Sequence, residues 1–147
     1  MVTIRKSNFR ELKDISDMGS QNHVSNFLSG KTLEIHERDF DKKNIVYLSI
    51  INTASLLAGY IILELQNKTK SVQLKRILVS EHYIGIGQEA IIATEKYCVN
   101  EFKSRRLWLD VYENNLKAKH IYKKLGYKKF KNGIQEFKAV EYYEKNL

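Results

Sequence analysis

A chain of 147 residues, 43% hydrophobic and 29% charged, holds enough apolar material for one folded core and leaves little room for a second domain. It has no apolar run of the roughly 18 residues that a membrane span needs, residues 1–6 lack the apolar stretch of a secretory signal, and a single cysteine, Cys98, excludes an intrachain disulfide and a multi-cysteine metal site, so a soluble cytoplasmic protein with no membrane partner and no metal is expected. The net charge of +8 sits mostly in the second half, with 10 Lys+Arg against 8 Asp+Glu over residues 1–70 and 15 against 9 over residues 71–147, which favours an anionic partner such as a phosphorylated cofactor or nucleic acid.

Residues 2–6 alternate as a short strand. Asn8 or Ser7 can cap a helix running to about Met18, with Phe9, Leu12, Ile15 and Met18 at three-residue spacing. Residues 19–30 carry no readable pattern, and residues 31–40 are charged and weakly helical, with Leu33 and Ile35 as candidate anchors. Residues 44–52 and 56–66 read as a hairpin, and residues 71–80 as a third strand entered by a polar turn, so the three form an antiparallel meander. The pattern then changes. A glycine turn, Gly85-Ile86-Gly87, leads into a helix to about Phe102 with Ala90, Ile91, Thr94, Tyr97, Cys98 and Phe102 on its apolar stripe. Residues 107–112 form a strand, and the helical crossover makes it parallel to residues 74–79. A second helix follows Asn115, with Ala118, Ile121, Tyr122 and Leu125 on one face and Gly126 as its stop. Residues 127–130 and 137–143 read as a final hairpin around Asn132-Gly133. The class is α+β: a mixed, mostly antiparallel central sheet of about six or seven strands with helices on both faces, in one domain over residues 1–147.

Glycines between a strand end and a helix start permit positive φ and close approach of a ligand to the backbone. The free N–H groups and dipole of the helix's first turn then favour an anion, a pyrophosphate being the obvious tenant; a plain tight turn is the competing account. The run Gly85-Ile86-Gly87-Gln88-Glu89-Ala90 also matches a dinucleotide fingerprint, with Asp110 downstream as a ribose-binding acid. Three antiparallel strands ahead of the turn oppose that reading, because a dinucleotide half needs a βαβαβ unit.

The next motif decides between them. Leu107-Trp108-Leu109-Asp110-Val111-Tyr112-Glu113-Asn114-Asn115 is followed by a helix carrying Asn115, Ala118, Ile121, Tyr122, Gly126 and Tyr127 at the spacing N-x-x-A-x-x-[ILV]-Y-x-x-x-G-[FY]. This block, with Leu74-Lys75-Arg76-Ile77-Leu78-Val79 and the glycine turn upstream, resembles the GNAT superfamily of N-acetyltransferases, in the branch with a short strand-to-glycine loop. The resemblance is strong over residues 71–130. It implies acetyl-CoA as cosubstrate. The backbone of Ile77, Leu78 and Val79 would pair with the pantetheine arm, N–H groups of Ile84, Gly85, Ile86, Gly87 and Gln88 would hold the pyrophosphate, and Asn115, Ala118 and Tyr122 would line the pantetheine from the helix. An amine would attack the thioester directly in a ternary complex. Tyr122 would be the general acid toward the departing thiolate: a phenol with a pKa of about 10 is protonated at neutral pH, whereas an alkyl thiol ionises near 8.5. On position alone, Tyr122 also reads as a core residue.

The base is less defined. Asp110 lies where some relatives carry a catalytic carboxylate; a paired strand aspartate or proton loss to water competes, Glu64 is a weaker candidate, and Gln73, where relatives often carry Glu, cannot itself serve as a base. His82 stands at the head of the phosphate loop, where the family usually has a basic or amide residue, and can act as a partial substitute. The lysines at 117, 119, 123, 124, 128, 129 and 131 can steer an anionic cofactor, although a solvated helix face accounts for most of them. Two other classes compete with an enzyme: an acyl-CoA sensor without turnover, which the intact Tyr122 opposes, and a nucleic-acid module, which lacks any basic-aromatic or helix-turn-helix signature. The acceptor, a small-molecule or protein amine, is not legible, and a monomer or homodimer is expected.

Overall fold

The structure is a computed structural model that describes residues 1–21, 30–83 and 85–147. Most of the unreadable stretch at 19–30, and Ile84 of the phosphate loop, lie outside the described residues. The chain runs β1 (Thr3–Lys6), α1 (Leu12–Met18), α2 (Leu33–Phe40), β2 (Ile45–Ile51), β3 (Leu57–Gln66), β4 (Ser71–Val79), α3 (Gly87–Phe102), β5 (Arg106–Tyr112), α4 (Leu116–Lys124), β6 (Lys128–Gln135) and β7 (Lys138–Asn146). One sheet has the order β1-β2-β3-β4-β5-β7-β6. Neighbouring strands are antiparallel except β4 and β5, which are parallel across the α3 crossover, as the sequence implied.

The alternation of the strands sends two sets of side chains to opposite faces. One face carries Ile61, Leu63, Val72, Leu74, Leu107 and Leu109, packed with Ala90, Ile91 and Cys98 of α3 and Tyr122 of α4. On the other face Tyr47, Tyr60, Ile62 and Leu78 pack with Leu12, Ile15 and Met18 of α1. Cys98 is wholly buried, and that burial pushes its thiol up to about 12, so it serves as core.

Three local readings need correction or refinement. The first helix starts as a single 3₁₀ turn at Phe9–Glu11, entered where the Asn8 N–H donates to Glu11 Oε1 at 2.8 Å. In α2, capped by Thr32 (Oγ1 accepts from the Ile35 N–H at 3.2 Å), the buried residues are His36 and Asp39, while the expected anchors Leu33 and Ile35 are only partly covered. The final hairpin turns at Glu136-Phe137, not at Asn132-Gly133. Gly133 pairs with Val140 inside the ladder, and a β-carbon there would lie 2.7 Å from the Tyr142 ring; this close approach, not a turn, demands glycine.

Gln135 and Lys138 close a two-residue loop in which Glu136 (φ 50) and Phe137 (φ 64) both occupy the left-handed region, the geometry of a type I′ turn that favours Asn-Gly. Phe137 is fully exposed. Phe137→Gly therefore removes strain without removing burial, and is expected to raise stability by about 1 kcal/mol, read as a higher urea midpoint at unchanged slope.

Candidate active site

The site begins where β4 and β5 part. Their ladder joins residues 71–74 to residues 106–109 and goes no further, although each strand continues on its other side, β4 against β3 and β5 against β7. The departure coincides with a bulge. Ile62 pairs with Arg76 and Leu63 with Leu74, leaving Lys75 as an extra residue on β4. A bulge of this kind bends its strand and re-aims side chains. Beyond it, Ile77 and Val79 pack toward the α3 side and Leu78 toward α1.

β4 delivers the chain through a 3₁₀ turn at Glu81–Tyr83 to the glycine turn. Gly85 has φ +111, and a β-carbon built on either Gly85 or Gly87 meets nothing of the described residues within 4 Å, so among them the backbone here is open to a ligand. Ile86 is the N-cap of the 16-residue α3 and its side chain makes no cap hydrogen bond. The first-turn N–H groups, including those of Gly87 and Gln88, have no partner within the helix itself. The open cradle and these donors fit a pyrophosphate. His82 is exposed beside the turn, its Nε2 4.0 Å from Glu81 and its ring against Tyr83.

The second part of the site is α4. Asn115 caps it, accepting from the Ala118 N–H at 3.2 Å, and Gly126 (φ +97) follows its end. Tyr122 is buried, with its ring edge-on to Tyr127 at 5.7 Å. Burial, and then the charge of Asp110, hold its phenol well above the ordinary value. The helix is pinned from both sides. Tyr127 and Lys145 donate to the two oxygens of Glu95 on α3 at 2.8 and 2.9 Å, and Lys119 and Tyr143 donate to the two oxygens of Glu141 on β7 at 3.1 and 2.7 Å. Lys119, grouped with the basic surface by sequence, is thus a largely covered structural lysine.

Asp110 lies on the opposite side of β5 from Leu109 and Val111, which face the α3 core. Gln135 Nε2 donates to its Oδ2 at 2.6 Å. Burial raises the Asp110 pKa, while the Gln135 hydrogen bond and the charge of Lys75 pull it back in part. Glu64 is held by Lys75 at 3.4 Å and is the ladder partner of Gln73. Asp110 thus stands one residue past the last β4–β5 pair, its charge felt by Tyr122 in the core on the α3 side, with Glu64 and Gln73 farther along the Asp110 face. Sequence reasoning missed Gln135 and Lys75: the first reaches the site only because the hairpin turns later than the Asn-Gly pair implied, the second because a bulge has no local signature.

Residues 12–127 match the Acetyltransferase (GNAT) family. The chain belongs to that family. Among curated relatives of this family member are the probable spermine N(1)-acetyltransferase of Bacillus subtilis subsp. natto (strain BEST195) and the spermine/spermidine N(1)-acetyltransferase of Bacillus subtilis (strain 168), each 29% identical over 83 residues, 55% of this chain and 53% of the relative. The match thus spans about half the length of those relatives. Among solved structures, a spermidine N-acetyltransferase from Vibrio cholerae in complex with CoA and spermine superposes with a TM-score of 0.85 at 16% identity, over 99% of this chain and 95% of that one. A dodecameric spermidine N-acetyltransferase from the same organism gives 0.80 at 15% identity, over 99% and 93%. These likenesses establish the shared fold. Among the described residues no helix is long and apolar enough to cross a membrane.

Proposed function

We propose that this chain, as a single domain, transfers an acetyl group from acetyl-CoA to a primary amine by direct attack. The observation that carries the reading is the parting of β4 and β5, with the Gly85–Gly87 cradle at one end, Asp110 just past the last pair and Tyr122 within reach of its charge. Backbone groups of Ile77 and Leu78 would take the pantetheine arm and the N–H groups of residues 85–88 the pyrophosphate, with Asn115 and Ala118 alongside. The cosubstrate supplies an activated acyl group whose departing thiolate must be stabilised.

Tyr122 would supply that stabilisation. A phenol whose pKa is raised above 10 does not readily hand its proton to a thiolate of pKa about 8.5, so a hydrogen bond to the developing charge is its principal contribution. Asp110 would accept a proton from the incoming ammonium, directly or through water, and burial that raises its pKa makes it a better acceptor. The names of the curated relatives support a polyamine of the spermine or spermidine type as the first acceptor class, and a carboxylate at the gap is chemically suited to a cationic amine.

The test is CoA release from acetyl-CoA with spermidine, spermine and a panel of monoamines, with the product identified by mass spectrometry. Amine-dependent release is expected. Tight CoA binding without release for any amine would overturn the enzyme reading in favour of a sensor.

A further inference from the structure

The carboxylates on the Asp110 face of the sheet and on the helix beside it are not held alike. Asp39 lies between Lys31 (2.7 Å) and Lys42 (2.9 Å), Glu64 is paired with Lys75 (3.4 Å), and Glu144 with Arg106 (2.7 Å). Each of these charges is offset by a cation in direct contact. Among the described residues the contact to Asp110 is a neutral amide, Gln135 Nε2 on Oδ2 at 2.6 Å, and the same nitrogen lies 3.5 Å from the Tyr142 hydroxyl. A carboxylate has two oxygens, each with acceptor capacity. An amide that takes one of them fixes the orientation of the group, leaves the other for a substrate N–H, and keeps the negative charge.

The donor comes from a distance in the chain. In the ladder Asp110 stands opposite Tyr142 on β7, and Tyr142 opposite Lys131 on β6, whereas Gln135 is the last residue of β6, next to the Glu136-Phe137 turn. The hairpin tip therefore reaches back over β7 to the edge of the gap. We infer that Gln135 is a positioning residue: it holds Asp110 with one carboxylate oxygen bound and the other presented to the acceptor amine. The inference rests on the role of Asp110 proposed above. Among the described residues the charged and titratable groups around Asp110 are Lys75 from β4, with Glu64 of β3 behind it, Tyr122 from α4 and Tyr142 from β7. None of them replaces the Gln135 contact.

Gln135→Leu and Gln135→Glu test it. A hydrogen bond to the ionised form favours that form, so its removal in Gln135→Leu moves the Asp110 titration to higher pH. A second carboxylate in Gln135→Glu moves it further in the same direction, because two adjacent acids cannot both ionise freely. Two readouts are needed: the ¹³C titration of the Asp110 carboxyl, assigned by its loss in Asp110→Asn, and the acid limb of kcat/KM for the amine. Both should shift upward, least in the parent and most in Gln135→Glu. In addition kcat/KM at neutral pH should fall roughly tenfold in Gln135→Leu, in keeping with a misaligned catalytic group, while KM for acetyl-CoA is unchanged. An Asp110 titration identical in parent and variants would overturn the inference whether or not the protein acetylates amines. A shifted titration with an unmoved acid limb would also overturn it, since Asp110 would then be oriented but unused. A parent without acetyl transfer to any amine fails the proposed function instead, and the carboxyl titration still reports on the contact.

Discussion

Tyr122→Phe is expected to lower kcat by about a hundredfold while leaving KM for acetyl-CoA nearly unchanged, because the substitution removes one hydrogen-bond donor aimed at developing charge and little else. The ring stays in its place. Its edge-on contact with Tyr127 at 5.7 Å and its burial do not depend on the hydroxyl, so the urea midpoint should move little. The combination distinguishes a reacting phenol from a core tyrosine, which would lose nothing in turnover on becoming phenylalanine. Tyr122→Ala would confuse the two, since it opens a cavity as well. A Tyr122→Phe variant with parental kcat removes the residue from the mechanism.

The largest expected effect on stability is at Gly59. It lies in β3 opposite Val79, fully within the sheet, and a β-carbon there would collide with the Leu78 carbonyl oxygen and come within 3.1 Å of Ile50 Cδ1 and Val79 Cα. Two of those three neighbours are backbone atoms of β4, which cannot retreat without moving the strand. Gly59→Ala should therefore destabilise by about 1–3 kcal/mol, a fall in Tm of roughly 3–10 °C for a chain of this size. It should also depress activity beyond that loss, because the displaced segment at Leu78 borders the gap. Gly19→Ala is the control: it has ordinary helical dihedrals, its nearest contact would be Ser16 O at 3.4 Å, and its midpoint should be close to that of the parent.

Those parts of the fold whose cause is local were legible from residues alone. The Asn115 cap, the stripe of Ala118, Ile121, Tyr122 and Leu125, and the stop at Gly126 define α4 within a dozen residues, and the change from period two to period 3.6 after Ser80 implies the parallel pair across α3. Elements whose cause is distant were misread. Asn132-Gly133 is a strong turn signal in isolation, yet the glycine answers to the Tyr142 ring across the ladder. The buried face of α2 is polar: His36 donates to or accepts from the Tyr47 hydroxyl at 2.6 Å and stays neutral, held down to about 4 by burial, while Asp39 is buried with its two lysines. Hydrophobic patterning has no means of finding such a face. At the site, Asp110 and Tyr122 came from one local motif and the glycine turn from another, whereas Gln135 and Lys75 depend on register and bulge.

The bulge at Lys75 has one more property. Val72 and Leu74 before it face α3, and Ile77 and Val79 after it do so again, with Leu78 opposite. If residue 75 is skipped, the alternation of β4 runs without a break. The extra residue is thus dispensable to the hydrophobic code of the strand: a shorter version would bury the same side chains on the same faces. What it would lose is the bend that draws β4 away from β5. A continuous, sealed sheet and a slotted one differ here by a single inserted amino acid, so the scaffold's stability and its capacity to admit a ligand are separable traits.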